Sequence, residues 1–541
     1  MVRFRPCSFA CLVKFVPLLL LVGCGGGSAG VPSAPSNLTY AGPLVAVVGV
    51  PIVPLLPSVR GRVDGYAIAP PLPGGLAFDT TTGRVSGTPS APAAPANHTI
   101  TATNSLGSTS YVLSVTVTAA TAGGFGPVET LSDAGASEPQ VVVAANGDTL
   151  VGWLQLEPGS ATRSLWGRRR SGTVWSAAER LEQAAGDVDQ FALAMDRSSG
   201  RAVVAWRQLG GSPHDVFARV FEPGTGYGVA TMLDNLPGTV GDVRAAIDGQ
   251  GRAFAVWAQD EQQIGRFSIW AARFTPGGGW AAAQLLETTN VIGAQDGTPR
   301  IAMLADGGAL VVWEQSGNPR IALWTNRYLA GAGWGTASEL VPNEGVLQSL
   351  RWPELAGDAT GRVLLVWGQF DLEAGVQRST VRHKRFDGGW QNGRAAVAEA
   401  TLGNLVPRPR ATLAGDGSAV VGWVGADDTL QVATSAWGGA WTRSIADASL
   451  AGSAVSLPGV AAGSSGRALV GWVQETSPGV TVVHGVTRVG ATWAPPTRLE
   501  EEVGFAVSTW AAGNDSGLGV LVWTQFVAGI GTVITSRRST D

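Results

Sequence analysis

Cysteine is almost missing: Cys7, Cys11 and Cys24 are the only three in 541 residues. Beyond Cys24 there is therefore no intrachain disulfide, no thiol nucleophile and no cysteine-ligated metal. Lysine is as scarce, with Lys14 and Lys384 alone, so arginine carries nearly all the positive charge. Only 14% of residues are charged and the formal net charge is -4, near -7 once Arg3, Arg5 and Lys14 are set aside. No basic tract follows them, so nucleic acid is not an expected partner. His214, His383 and His484 are scattered without metal-ligand spacing. No Walker loop, dinucleotide fingerprint or nucleophile elbow stands in a suitable context, and no cofactor is expected.

What the chain has in quantity is glycine (75), proline (31) and tryptophan (20). That balance favours short strands and tight turns over surface helices, and predicts an all-β protein. Residues 1–23 combine Arg3 and Arg5 with an apolar run, Phe15 to Val22, too short for a permanent membrane span, and read as an export signal. The run ends in Leu21-Val22-Gly23-Cys24, which resembles the lipobox of bacterial lipoproteins. The resemblance implies that Cys24 is lipidated and tethers the chain to a membrane. Gly25 in place of Asp implies the outer membrane of a Gram-negative cell envelope. Acyl chains at about 0.8 kcal/mol per buried CH₂ would hold a folded domain at that surface. Residues 24–36, rich in Gly, Pro and Ser, read as a flexible tether.

Residues 37–118 carry turn residues at fixed offsets between short apolar strands: Leu72-Pro73-Gly74-Gly75-Leu76, then Thr82-Gly83-Arg84-Val85-Ser86-Gly87-Thr88-Pro89. This segment resembles the immunoglobulin-like domain of bacterial surface proteins, which implies a β-sandwich with Leu76, Phe78 and Val85 inward. Cadherin-like relatives bind calcium, but Asp79 stands almost alone and the clustered acids of such a site are missing. A spacer is the function expected here.

Residues 121–541 are organised by a recurring apolar run such as Gly361 to Gln369. Its tryptophan returns as Trp153, Trp206, Trp257, Trp313, Trp367, Trp423, Trp472 and Trp523, at steps of roughly fifty residues. Each unit parses into four strands, and an unalternating second strand is what burial on both faces predicts. Four strands per unit of this length describe a propeller blade. A fourth-strand aromatic follows in seven units (Trp175, Tyr227, Trp280, Trp334, Trp390, Trp441, Trp493), whereas the eighth stops without one. Phe125 to Leu131, ahead of the first unit, supplies the missing copy. The expectation is an eight-bladed β-propeller of four-stranded blades closed by this N-terminal strand, on an Ig-like sandwich. The pattern resembles sialidase-like and lectin-type bacterial propellers, and the turn Thr275 to Trp280 resembles an Asp-box that lacks its Asp.

That resemblance implies two functions, a non-catalytic module for a protein or glycan ligand and a divergent sialidase-like hydrolase; an envelope scaffold is a third. A sialidase needs an activated Tyr beside a Glu, and here Tyr227 and Tyr328 both fall on repeat positions. The Gln two residues after the tryptophan recurs in seven units (Gln155, Gln208, Gln259, Gln315, Gln369, Gln474, Gln525). It reads either as a ligand amide at the mouth or as a scaffold bond, and near-constancy favours the scaffold. Residues that differ between units are better site candidates: Gln140, Gln190, Arg244, Arg300, Glu354 and Arg410, with Asp242 and Trp352 close by. They mix arginines with carboxylates as a site for an acidic or polyhydroxylated ligand would, and equally as mutually neutralising charges in a wet channel would. The third-strand Arg219, Arg273, Arg327, Arg385 and Arg488 suit stacking on nearby aromatics. A monomer is expected.

Overall fold

The computed structural model describes residues 33–47, 52, 54–87, 89–118, 124–210, 214–234, 238–260, 265–287, 295–317, 320–342, 349–373, 376–393, 395–397, 401–402, 406–425, 428–445, 453–454, 456–500 and 505–539. The export signal, Cys24 and most of the tether lie outside them. Among the described residues there are strands and turns and no helix. The strands fall into two compact units, one over residues up to Ala46 and Ile52–Val117, the other over Thr118–Asp541 apart from a short stretch at Val47–Pro51.

The smaller unit has a four-stranded sheet in the order Leu44–Val47, Gly107–Thr118, Ala93–Asn104, Gly65–Ala69, with two two-stranded sheets, Ser36–Thr39 with Ser58–Arg60 and Leu76–Phe78 with Val85–Gly87. Alternation does the folding: His98, Ile100 and Ala102 are buried along one strand while Asn97 and Thr99 face out. Val85, Leu113 and Val115 complete the core. Asp79 takes backbone N–H bonds from Thr81 and Thr82 at 2.8 and 3.1 Å and so builds a turn. Gly87 has φ +115°, and a Cβ there would lie 2.3 Å from the carbonyl of Gly75; no side chain fits.

The larger unit is eight successive antiparallel sheets. In sheet 3, Thr239–Ile247, Ala253–Asp260, Ser268–Thr275 and Gly279–Trp280 pair in that order, and most of the others follow suit with small additions. In the eighth, Ala506–Gly513, Gly519–Val527 and Gly531–Arg538 are followed by Glu129–Thr130, from ahead of the first sheet. Thr130 pairs with Thr535 and Phe125 bridges to Ser539. The first strands pack in sequence, each on the next, and that of sheet 8 packs on that of sheet 1.

Burial explains why the units sit side by side. Second strands are covered on both faces, as Ala253–Asp260 is at every position. The apolar side chains of each sheet meet those of its neighbour in a shared cluster: Leu154 and Leu165 with Val204 and Trp206, Val256 and Ile269 with Val311 and Trp313, and, across the ends of the chain, Val520, Val522 and Ile534 with Val141, Val143 and Trp153. The eight repeat tryptophans are at most 5% exposed. Each contributes several kcal/mol, since large buried side chains supply about 1.5–3 kcal/mol apiece and indoles more.

Candidate functional site

The ladder register selects one position per sheet. Gln140, Arg244, Arg300, Glu354, Arg410, Gly459 and Trp510 each pair with the residue just before their sheet's tryptophan, and so does Ala192 in sheet 2. Gln190 is therefore two residues off the ring position expected for it, and Trp510 joins the set. Seven of the eight stand thirteen residues ahead of their tryptophan; that offset is the signal by which Trp510 could have been found. A bulge precedes the position in several first strands, and Glu138, Thr298, Trp352 and Ser508 hold positive φ there, at 52°, 49°, 58° and 49°. Such backbone costs on the order of 1–3 kcal/mol per residue, and a bulge re-aims the side chains beyond it. Two residues on stand Gln140, Arg300, Glu354 and Trp510.

These side chains bound a cavity of about 810 Å³ to which all eight sheets contribute. One wall is a chain of charges. Asp242 accepts from Gln190 Nε2 at 2.7 Å, from Arg244 at 3.3 Å and from Arg300 at 3.3 Å. Arg300 Nε donates to Glu354 at 2.9 Å, and Arg410 lies 3.5 Å from the same carboxylate with its guanidinium 4.5 Å above the Trp510 ring. Leu457, Thr481, Phe505, Val507 and Trp510 also line the cavity. Phe505 and Val507 are exposed, at 50% and 37%, and add apolar surface to the cavity.

Burial opposes the charge of Asp242, but Arg244 and Arg300 overcome it and hold the carboxyl at about 2. Glu354 is likewise kept low, burial being outweighed by Arg300 and Arg410. Burial lowers Arg244 to about 10, and Arg300 beside it adds to the fall. Three arginines thus share the two carboxylates of Asp242 and Glu354, and Glu475 also lines the cavity. Arg408 brings a fourth guanidinium, 4.7 Å above the Trp352 ring, also pushed down by burial and by Arg410. The structure therefore brings Arg244, Arg300, Glu354, Arg410 and Asp242 together, while Trp352 stays off the cavity and carries Arg408. Glu138, which no sequence pattern singles out, lines the cavity with its carboxyl raised by burial. Toward the far end of the first strands, Arg197 of sheet 2 reaches the carbonyl of Leu413 at 3.2 Å and lies 3.8 Å from Asp515 of sheet 8.

The recurring glutamines are elsewhere. In six of the seven, Oε1 accepts the indole N–H of the tryptophan two residues back, at 3.1 Å in Trp153–Gln155, 3.0 Å in Trp206–Gln208, 2.8 Å in Trp257–Gln259 and 2.7 Å in Trp472–Gln474; Trp313 and Gln315 do not make the bond. All seven are at most 9% exposed. The mouth position considered for them is not the one they occupy. The third-strand arginines stack as expected, Arg219 on Tyr227 at 5.3 Å, Arg273 on Tyr328 at 5.2 Å and Arg488 on Trp493 at 5.9 Å.

Comparison with known proteins bears on the smaller unit. Residues 34–120 match the family described as "Putative Ig domain". The smaller unit is an Ig-like domain. Its turns between Leu72 and Pro89 carry the resemblance in the sequence itself. No curated protein matches the sequence. Among solved structures, the chain is similar to a polysaccharide lyase, an ulvan lyase, at 10% identity over 75% of this chain and 94% of that one, with a TM-score of 0.42. It is similar also to the Aleuria aurantia lectin in complex with Fucalpha1-6GlcNAc (15% identity, 59% and 96% coverage, TM-score 0.36) and to a protein of unknown function from Dyadobacter fermentans (14%, 57% and 96%, 0.35). Likenesses this distant assign neither an activity nor a ligand to the chain.

Proposed function

We propose that the larger unit is an eight-bladed β-propeller, closed by Glu129–Thr130, whose axial cavity binds an anionic carbohydrate without turning it over. The carrying observation is the cluster of guanidiniums at the cavity, Arg244, Arg300 and Arg410, tied together by Asp242 and Glu354. A carboxylate on a sugar ring would meet the clustered guanidiniums, which bind carboxylates in paired hydrogen bonds, while the ring's C–H faces lie on Trp510 and Phe505. A binding role rather than catalysis is supported by Asp242 and Glu354 themselves. Both are held ionised at neutral pH, and neither is poised to give or take a proton. Cys24 would anchor the protein in the cell envelope, and the Ig-like domain would act as the spacer.

The test is binding of uronate-bearing and neutral oligosaccharides to the full chain purified in detergent. Uronate binding that falls at least about tenfold in an Arg300→Gln, Arg410→Gln variant that remains folded at the assay temperature supports the reading; unchanged binding removes it. Cys24→Ser should move the protein from the membrane to the soluble fraction. A hydrolase reading is favoured by one observation, the raised carboxyl of Glu138 on the cavity. Turnover of a glycoside abolished by Glu138→Gln would replace the binding reading.

A further inference from the structure

A second cavity, of about 570 Å³, opens between sheets 8 and 1, lined among others by Ser132, Trp153, Gln155, Glu157, Trp166 and Arg168. The repeat explains why it is there. Wherever a fourth-strand leucine returns its N–H to the third strand, the next residue caps an N–H of that strand. Glu182 caps Leu165 N at 2.8 Å, Asp234 caps Val216 N at 2.9 Å, Glu287 caps Ile269 N at 3.0 Å and Glu500 caps Val483 N at 2.8 Å. Leu181, Leu233, Leu286 and Leu499 are the leucines. Leu131 makes the same backbone bond to Ile534, and the residue after it is Ser132, whose Oγ caps Ile534 N at 2.8 Å. The seam thus keeps the cap and loses the carboxylate behind it. In sheet 2 the second oxygen of that carboxylate is used, Asp234 Oδ2 accepting from Gln259 of the next sheet at 3.1 Å. At the seam Ser132 has no such second oxygen, and Gln155 donates to the carbonyl of Ala134 as Gln208 does to that of Ala184.

Two polar atoms are left over beside this space. The indole N–H of Trp166 and Glu157 Oε1 are both buried and without a hydrogen-bond partner, Glu157 Oε1 being held only by a long ion pair to Arg180 at 4.0 Å. Buried polar atoms without partners cost about 1–3 kcal/mol each. Arg168 is already committed, to the carbonyls of Ser176 and Leu131 at 2.9 and 3.0 Å. The lining thus offers one unpaired donor, a carboxylate held by a long ion pair and indole surface, with its guanidinium occupied. That combination suits a neutral hydroxylated ring rather than an anion, and the volume is within the range of small-ligand sites.

We propose that the seam between sheets 8 and 1 is a second binding site, for a neutral pyranose, with a ring or hydroxyl oxygen accepting from Trp166 Nε1, a hydroxyl donating to Glu157 and the ring lying on the indole. The site is independent of the axial cavity. The test uses the full chain in detergent and four probes, the methyl pyranosides of glucose, galactose, fucose and N-acetylglucosamine, followed by saturation-transfer NMR. At least one should bind at millimolar concentration. Ser132→Glu restores the carboxylate used in four other sheets and should keep the melting temperature while weakening that probe at least about tenfold. Trp166→Phe, which places here the residue type that Phe217 supplies opposite the tryptophan of sheet 2, should weaken it as well. Arg300→Gln should leave it unchanged. The proposal is overturned if no probe binds, if binding survives both seam substitutions, or if Arg300→Gln removes it.

Discussion

Two layers of the same sheets have opposite fates. In the second strands, eight sheets repeat one solution, a buried tryptophan that in most of them is bonded to the glutamine two residues on. In the first strands, the eight ladder positions that pair just ahead of those tryptophans hold Gln, Ala, Arg, Arg, Glu, Arg, Gly and Trp. Equal positions filled alike serve the interfaces that every sheet must make. Equal positions filled differently are free of that duty, and here they assemble charges that a stable core would exclude. The contrast separates scaffold from site without any knowledge of the ligand.

The comparison breaks hardest at the scaffold. Trp257→Ala should cost about 3–5 kcal/mol in urea unfolding, the range for removing a fully buried large aromatic, and should leave any ligand that the folded fraction binds with unchanged affinity. Arg300→Met should cost about 2–3 kcal/mol, because it leaves Asp242 and Glu354 near one another without the shared cation. The pH dependence tells the two apart. Asp242 is depressed to about 2 in the folded state, so its contribution is present above the ordinary carboxylate value near 3.9 and is lost as pH falls from there toward 2. In Arg300→Met the depression shrinks, so less stability is lost over that window, and melting temperature should fall less steeply with acid than in the parent or in Trp257→Ala. Gln208→Leu should cost about 1–2 kcal/mol by leaving the Trp206 N–H unpaired, with ligand binding untouched. The smallest effect is expected from Arg488→Leu, about 0.5–1 kcal/mol, which removes a stack on Trp493.

The scaffold was legible because its signals are periodic. Eight tryptophans, their glutamines and the turn glycines declare sheet count, strand order and the pairing of the Phe125 segment, since one cause repeats along the chain. The site was half legible. Arg244, Arg300, Glu354 and Arg410 stand out because they differ where neighbours should agree. Gln190 stands near the place where the repeat points, but Ala192 holds the ladder position, and its offset from the tryptophan is fourteen residues rather than thirteen. Trp510 was hidden by its resemblance to a scaffold aromatic, and the ion pairs linking Asp242 to Arg300 join residues 58 apart in sequence. The seam cavity had no local signal at all. Ser132 means something only once it is aligned with Glu182, Asp234, Glu287 and Glu500 through hydrogen bonds that the sequence does not display.

The bond from Ile534 to Ser132 spans 402 residues of chain, and this has a consequence for the order of events during synthesis. The segment Phe125 to Ser132 emerges ahead of all eight sheets, and its edge groups wait for a partner until Gly531–Arg538 arrives. Long-range pairing of this kind is slow. Gly531–Arg538 thus acts as a latch on that early segment, and a chain released before this strand would leave Glu129–Thr130 without its ladder partner.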